Sequence, residues 1–206
     1  MKKVIIAAAA LLLACATSFA QMNVNLGYVN STETTKVGSD KSTSALNGFT
    51  VGFGYSLELA DDFYFTPGVN YVFLTGSEAD GNAWLSYKGT VTEHYVNVPL
   101  TLSFDFSLAP NVKCFLFAGP TASIGAASTT KVTGSVVGIS ADTTINNYDD
   151  DDYKRFDIML GGGLGIKVSD KYCFKVGYDY GLLNRANSNN VTLHRSQLTA
   201  GIAFLF

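Results

Sequence analysis

Residues Arg195 to Phe206 read R-S-Q-L-T-A-G-I-A-F-L-F, and from Leu198 onward one parity (Leu198, Ala200, Ile202, Phe204, Phe206) is apolar throughout. The other parity opens with Arg195, Gln197, Thr199 and Gly201. A period of two with one apolar and one polar or small face is the pattern of a strand. About 9–11 such residues cross a bilayer when tilted. One strand cannot cross alone, because its edge N–H and C=O groups would be unpaired in hydrocarbon, so it demands neighbours that close into a barrel. The rest of the chain must then supply an even number of similar strands and a route to a membrane that accepts barrels.

The route is at the start. Lys2 and Lys3 precede an apolar run from Val4 to Ala14, and Ser18-Phe19-Ala20 places small residues where a signal peptidase reads, so residues 1–20 are expected to be a signal peptide and 21–206 the barrel. The apolar run is too short for a transmembrane helix, which needs about 20 residues. Leu12-Leu13-Ala14-Cys15 is a rival lipidation site, disfavoured because the first strand follows Gln21 almost at once.

Seven further strands precede the last. Met22 to Val29 alternates, then a polar Ser/Thr/Lys loop runs to about Asn47; Phe49 to Leu59 sets Phe49, Val51, Phe53, Tyr55, Leu57 and Leu59 against Thr50, Gly52, Gly54, Ser56 and Glu58. Asp61-Asp62 turns the chain into Phe63 to Leu74, where Pro67 lacks a ladder donor and should mark a bulge or bend. A loop containing Trp84 leads to Val96 to Phe106, and Ala109-Pro110-Asn111 turns into Val112 to about Gly125, whose parity is ambiguous because Phe115, Leu116 and Phe117 compete for the outside. The longest loop, about 126–155, carries Asp149 to Asp152. Phe156 to Val168 and Tyr172 to Leu182 follow, separated by Ser169-Asp170-Lys171. Eight strands with connections alternating long and short predict an all-β, antiparallel up-and-down transmembrane barrel in the outer membrane, with long loops outside the cell and tight turns in the periplasm.

Composition agrees and excludes a class of partner. Removing Lys2 and Lys3 with the signal leaves 12 of the 14 basic residues against 17 acidic ones, a net charge of −5, which argues against nucleic acid. Cys114 and Cys173 sit on non-consecutive strands and read as small packing residues rather than a disulfide framework.

Tyr95 to Phe104 (Y-V-N-V-P-L-T-L-S-F), Ala118-Gly119-Pro120, Phe156-Asp157 followed by Gly161 to Gly165, and Gly177 to Asn184 (G-Y-D-Y-G-L-L-N) together resemble the PorT-like outer-membrane β-barrel family of Bacteroidetes-type bacteria. The likeness runs over nearly the whole mature chain and its motifs are structural rather than catalytic. It implies the fold and the location. The family's namesake takes part in protein secretion to the cell surface, which makes an accessory role in such an apparatus the alternative to a structural or interaction role through the extracellular loops. The terminal Phe206 looks like the signal that barrel-assembly machinery recognises.

By parity, Glu58, Asp105, Asp157 and Asp179 point inward, as do Lys167, Lys175 and Arg195. An eight-stranded barrel is just wide enough for side chains to fill, so these charges should pair and close the lumen, leaving a plug rather than a pore. The rival is a proton or ion path through the same residues. Partners are then outer-membrane lipid, the assembly machinery and a protein at loops or turns; no cofactor and no catalytic site are expected.

Three motifs are weaker. His94 and His194 fall at strand starts beside Glu93 and Ser196, the ingredients of a lipid hydrolase at the rim, but no spacing shows that they meet. Asp149 to Asp152 lacks the spaced ligands and glycine of a calcium loop. Gly161-Gly162-Gly163-Leu164-Gly165 lies within a strand with no helix and no Lys-Ser/Thr pair after it, so it is read as room for bulky interior neighbours or strand curvature.

Overall fold

The computed structural model describes residues 20–81, 85–136, 139–149, 153–187 and 190–206. The signal segment with its rival Cys15, Trp84 and Asp150 to Asp152 lie outside the described residues. The strands are β1 (Ala20–Val37), β2 (Asp40–Ala60), β3 (Phe63–Gly81), β4 (Leu85–Ala109), β5 (Val112–Val136), β6 (Ile139–Asn146), β7 (Phe156–Val168), β8 (Tyr172–Gly181) and β9 (Val191–Leu205). Every pairing is antiparallel, and β1–β9 and β4–β5 close eight strands into a ring, in the order β1-β2-β3-β4-β5-β7-β8-β9. The ninth, β6, pairs only with the outer part of β5. The eight-stranded barrel expected from the alternation is therefore present, and the 126–155 loop adds a hairpin to it.

Following directly paired residues around the ring gives the tilt. From Phe73 the path runs through Phe49, Tyr28, Ala200, Val176, Leu164, Leu116 and Phe104 to Phe63, ten residues below its start on the same strand. An even offset keeps every residue on the path on one face. With ordinary strand spacing and rise, a stagger of ten on eight strands means a tilt of about 40° and a backbone radius of roughly 8 Å. At that tilt about ten residues cross a 25 Å apolar band. β4 and β5 have 25 residues each, so they continue far beyond it.

The pleat is inside out relative to a soluble sheet. Leu26, Phe53, Leu164 and Ile202 are more than half exposed, whereas their neighbours Asn25, Thr50 and Gln197 are buried. Aromatic pairs mark both borders of the belt: Phe49–Phe73 and Tyr180–His194 at the extracellular side, Phe104–Phe106 and Tyr172–Phe204 at the periplasmic side. The periplasmic turns are tight, with Asp62, Asn111, Ser169 and Asp170 at positive φ, where Asp and Asn are tolerated best.

Two expectations about local geometry change. Pro67 makes no bulge: the β3 ladder keeps its register on both sides of it, pairing Gly54↔Gly68 and Leu57↔Phe65 toward β2 and Pro67↔Leu100 toward β4. The missing donor falls in an unpaired gap of the β2 ladder that a Thr66–Ser56 hydroxyl bond of 2.9 Å spans. The polar stretch before Asn47 is not a loop but a hairpin, with Val37 paired to Asp40, because its Thr and Val residues suit an extended backbone.

The ambiguity on β5 is resolved. Phe115 and Phe117 point inward and Leu116 faces lipid. Room for the rings comes from glycines on the adjoining strands: a Cβ on Gly163 of β7 or Gly177 of β8 would stand 2.7 or 2.8 Å from the Phe117 ring, and one on Gly165 of β7 would collide with Phe115. Cys173 packs in the same cluster, and both cysteines are free.

Candidate functional site

The lumen is closed in two layers with a chamber between them. The periplasmic layer rests on Lys167, whose Nζ donates to Asp105 Oδ2 at 2.7 Å and Oδ1 at 3.0 Å and lies 4.5 Å from the Tyr64 ring centroid. Lys113 adds a looser pair with Asp62 at 3.5 Å, and Phe115 and Phe117 fill the space above. Glu58 lines this mouth but is exposed to solvent, without a hydrogen-bond or salt-bridge partner among the described residues.

The extracellular layer centres on Tyr95. Arg195, fully buried, lies 3.8 Å from its ring centroid and donates Nη2 to Ser123 Oγ at 2.7 Å; Ser123 in turn donates to Asn97 at 2.7 Å. The Tyr95 hydroxyl donates to Glu93 Oε2 at 2.8 Å and accepts from Arg185 Nη2 at 2.9 Å, while Arg185 Nη1 binds Glu33. Ser128 closes the set by donating to Glu93 Oε1 at 3.0 Å. A register shift opposite His94/Tyr95 inserts Ala126 into β5, and this extra residue turns Ser128 inward. Burial by itself would lower the Arg185 pKa, but Tyr95, Glu33 and Glu93 around it leave it above its ordinary value. A guanidinium between two carboxylates and a phenol is the compensation a buried cation requires.

The inward parity of Asp105, Asp157, Lys167, Lys175, Asp179 and Arg195 therefore holds, whereas their expected pairing holds only for Lys167 with Asp105. Arg195 stacks on an aromatic ring and binds a hydroxyl instead of a carboxylate. Asp157 accepts the Leu183 amide at 3.2 Å through Oδ1. Lys175 and Asp179 line the chamber without a salt bridge. Glu33, Glu93, Tyr95 and Arg185 escaped the alternation. Glu33 lies on the same inward parity as Val29 and Ser31, so extending strand one by four residues finds it; Arg185 is on the β8–β9 connection and has no periodic signal.

The rim hydrolase is not assembled. His94 is on β4 and His194 on β9, four strand steps apart in a ring of eight and so on opposite sides. Both are in aromatic contacts: the Tyr71 hydroxyl is 2.6 Å from His94 Nδ1, and His194 stacks on Tyr180. Glu93 is buried inside, and Ser196 bonds to the Thr32 carbonyl at 3.4 Å. Among the described residues no carboxylate, His and Cys groups gather as a metal site; Asp149 is bonded by Asn146 at 2.8 Å.

Above the belt the strands continue as two walls. The β9-β1-β2 wall and the β3-β4-β5-β6 wall part where β2 and β3 cease to pair beyond Asn47↔Thr75. A cleft of about 380 Å³ opens between them, lined by Ser44 to Leu46 on one edge and Gly76 to Glu78 on the other, with Glu33 and Glu93 among its lining residues. On the far side β6 presents its second edge to no strand among the described residues, and its side chains from Ser140 to Asn146 are exposed on both faces.

The outer membrane protein beta-barrel domain family matches residues 16–187. No curated protein matches the chain. Among solved structures it is similar to the Neisserial surface protein A (16% identity, 92% of this chain and 100% of that one, TM-score 0.46) and to the attachment invasion locus protein Ail of Yersinia pestis (13%, 92% and 100%, TM-score 0.44). It is also similar to OprG of Pseudomonas aeruginosa (10%, 91% and 96%, TM-score 0.38).

Proposed function

This chain belongs to the outer membrane protein beta-barrel domain family, and from that premise we propose that it is a closed outer-membrane barrel that holds open sheet edges outside the cell for an extended polypeptide partner. The observation that carries this reading is β6, an eight-residue edge strand with Asp142 as its one charge, itself bound to Lys131 at 2.7 Å. Unpaired edges are normally shielded by charge, proline or cover, and an uncovered one is a template for a further strand. The belt anchors the barrel in lipid, and Phe206, whose amide donates to the Met22 carbonyl at 2.8 Å, is offered to the assembly machinery. We assign it no reaction. The finer reading, a PorT-like accessory of surface secretion, is supported by the motif resemblance alone.

Site-specific photo-crosslinking from Ser140 and Thr144 on intact cells tests the edge. Adducts that vanish with Asp142→Pro, which removes a backbone donor pointing away from β5, yet survive Asp142→Ser, which changes only the side chain, support strand addition. Adducts indifferent to the proline refute it. Loss of a secreted surface cargo on deletion of the gene would favour the secretion reading.

A further inference from the structure

We propose that the chamber between the two closures is a binding site for one small zwitterionic solute. This goes beyond the strand-edge reading and does not depend on it.

The chamber measures about 110 Å³. An apolar cavity of about 150 Å³ accommodates benzene, with six heavy atoms, so this one has room for about four to five, close to the five of the smallest α-amino acid. Its walls are half polar, with Asn23, Asn70, Asn97, Lys175, Asp179 and Gln197 among the polar groups that line it. The other lumen-lining ammonium groups, Lys167 and Lys113, are salt-bridged, and Arg185 at the mouth is bound to Glu33. Lys175 and Asp179 are different: four residues apart on one face of β8, they present an ammonium and a carboxylate to the same space, and neither has a hydrogen bond or salt bridge among the described residues. Gln197 Oε1 and Thr50 Oγ1, on residues 5% exposed, also line the chamber and have no hydrogen-bond partner among the described residues.

Water can satisfy the two neutral acceptors. A solute carrying both a carboxylate and an ammonium satisfies them and also neutralises the two charges, each end binding the opposite group on β8.

Isothermal titration of glycine into the refolded mature barrel in detergent, with its heat-dependent gel mobility checked for every variant, tests the site. One saturable event per barrel is expected, weakened at least tenfold by Lys175→Met and by Asp179→Asn separately and unchanged by Lys131→Met on the outer hairpin. Acetate and methylammonium, each with one of the two charges, should bind at least tenfold more weakly than glycine. Should either charge variant fail to fold, Thr50→Leu, which keeps both charges and fills the chamber, is expected to abolish the heat. No saturable heat in the wild type, or heat indifferent to the charge variants, or to Thr50→Leu where it stands in for them, overturns the proposal.

Discussion

Replacing Arg185 by alanine isolates the extracellular closure. The guanidinium is nearly inaccessible, and it is the only cation bonded to Glu33 among the described residues, whose own side chain is 15% exposed. Its removal leaves a largely buried carboxylate uncompensated and deprives the Tyr95 hydroxyl of its donor. Breaking one side of a buried pair costs about 3–5 kcal/mol. Because Glu33 keeps some access to water at the mouth, the lower end, about 3 kcal/mol, is expected, a factor of roughly 150 in the unfolding equilibrium. Glu33→Gln should cost less, because Tyr95 and Glu93 still face the arginine, and the double variant should lose clearly less than the sum of the two. Urea unfolding of the refolded protein in micelles, followed by gel mobility, measures all three. Arg185→Ala within 0.5 kcal/mol of wild type, or strict additivity in the cycle, would refute the account of the plug.

Three further outcomes are expected. Arginine at Leu100 or Ile202, both lipid-facing, should destabilise by about 2–4 kcal/mol near the midplane, while arginine at Thr101 in the chamber wall should cost less; equal effects in the same unfolding assay would mean the facing is misread. Planar-bilayer recording should show no stable unitary conductance in the wild type, with leak appearing only when Phe117→Ala opens the lower layer together with Arg185→Ala in the upper; porin-like steps in wild type would contradict the closures. Gly177→Ala should destabilise by about 1–3 kcal/mol through its clash with the Phe117 ring, and Phe117→Ala in the same chain should recover part of that loss. No recovery would place the strain elsewhere.

Alternation alone determined much of this molecule. Membrane hydrocarbon leaves every strand facing lipid on one side and lumen on the other, so parity in the sequence translates directly into facing. That is why the inward side of Asp105, Asp157, Lys167, Lys175, Asp179 and Arg195 was readable, along with the turns at Asp61-Asp62 and Pro110-Asn111. Parity says nothing about height, however, and whether two inward charges meet depends on stagger. A shift of ten residues around the ring sets Lys167 against Asp105 and leaves Lys175 and Asp179 facing a chamber. Tertiary structure alone decided the rest. Above the bilayer water satisfies backbone and side chains alike, so the apolar parity that marks a crossing strand lapses, and the hairpins of β1–β2 and β5–β6 look like loops. Arg185 lies on a connection with no period at all; only the closure of the ring brings Glu33 from β1 and Tyr95 from β4 to either side of it.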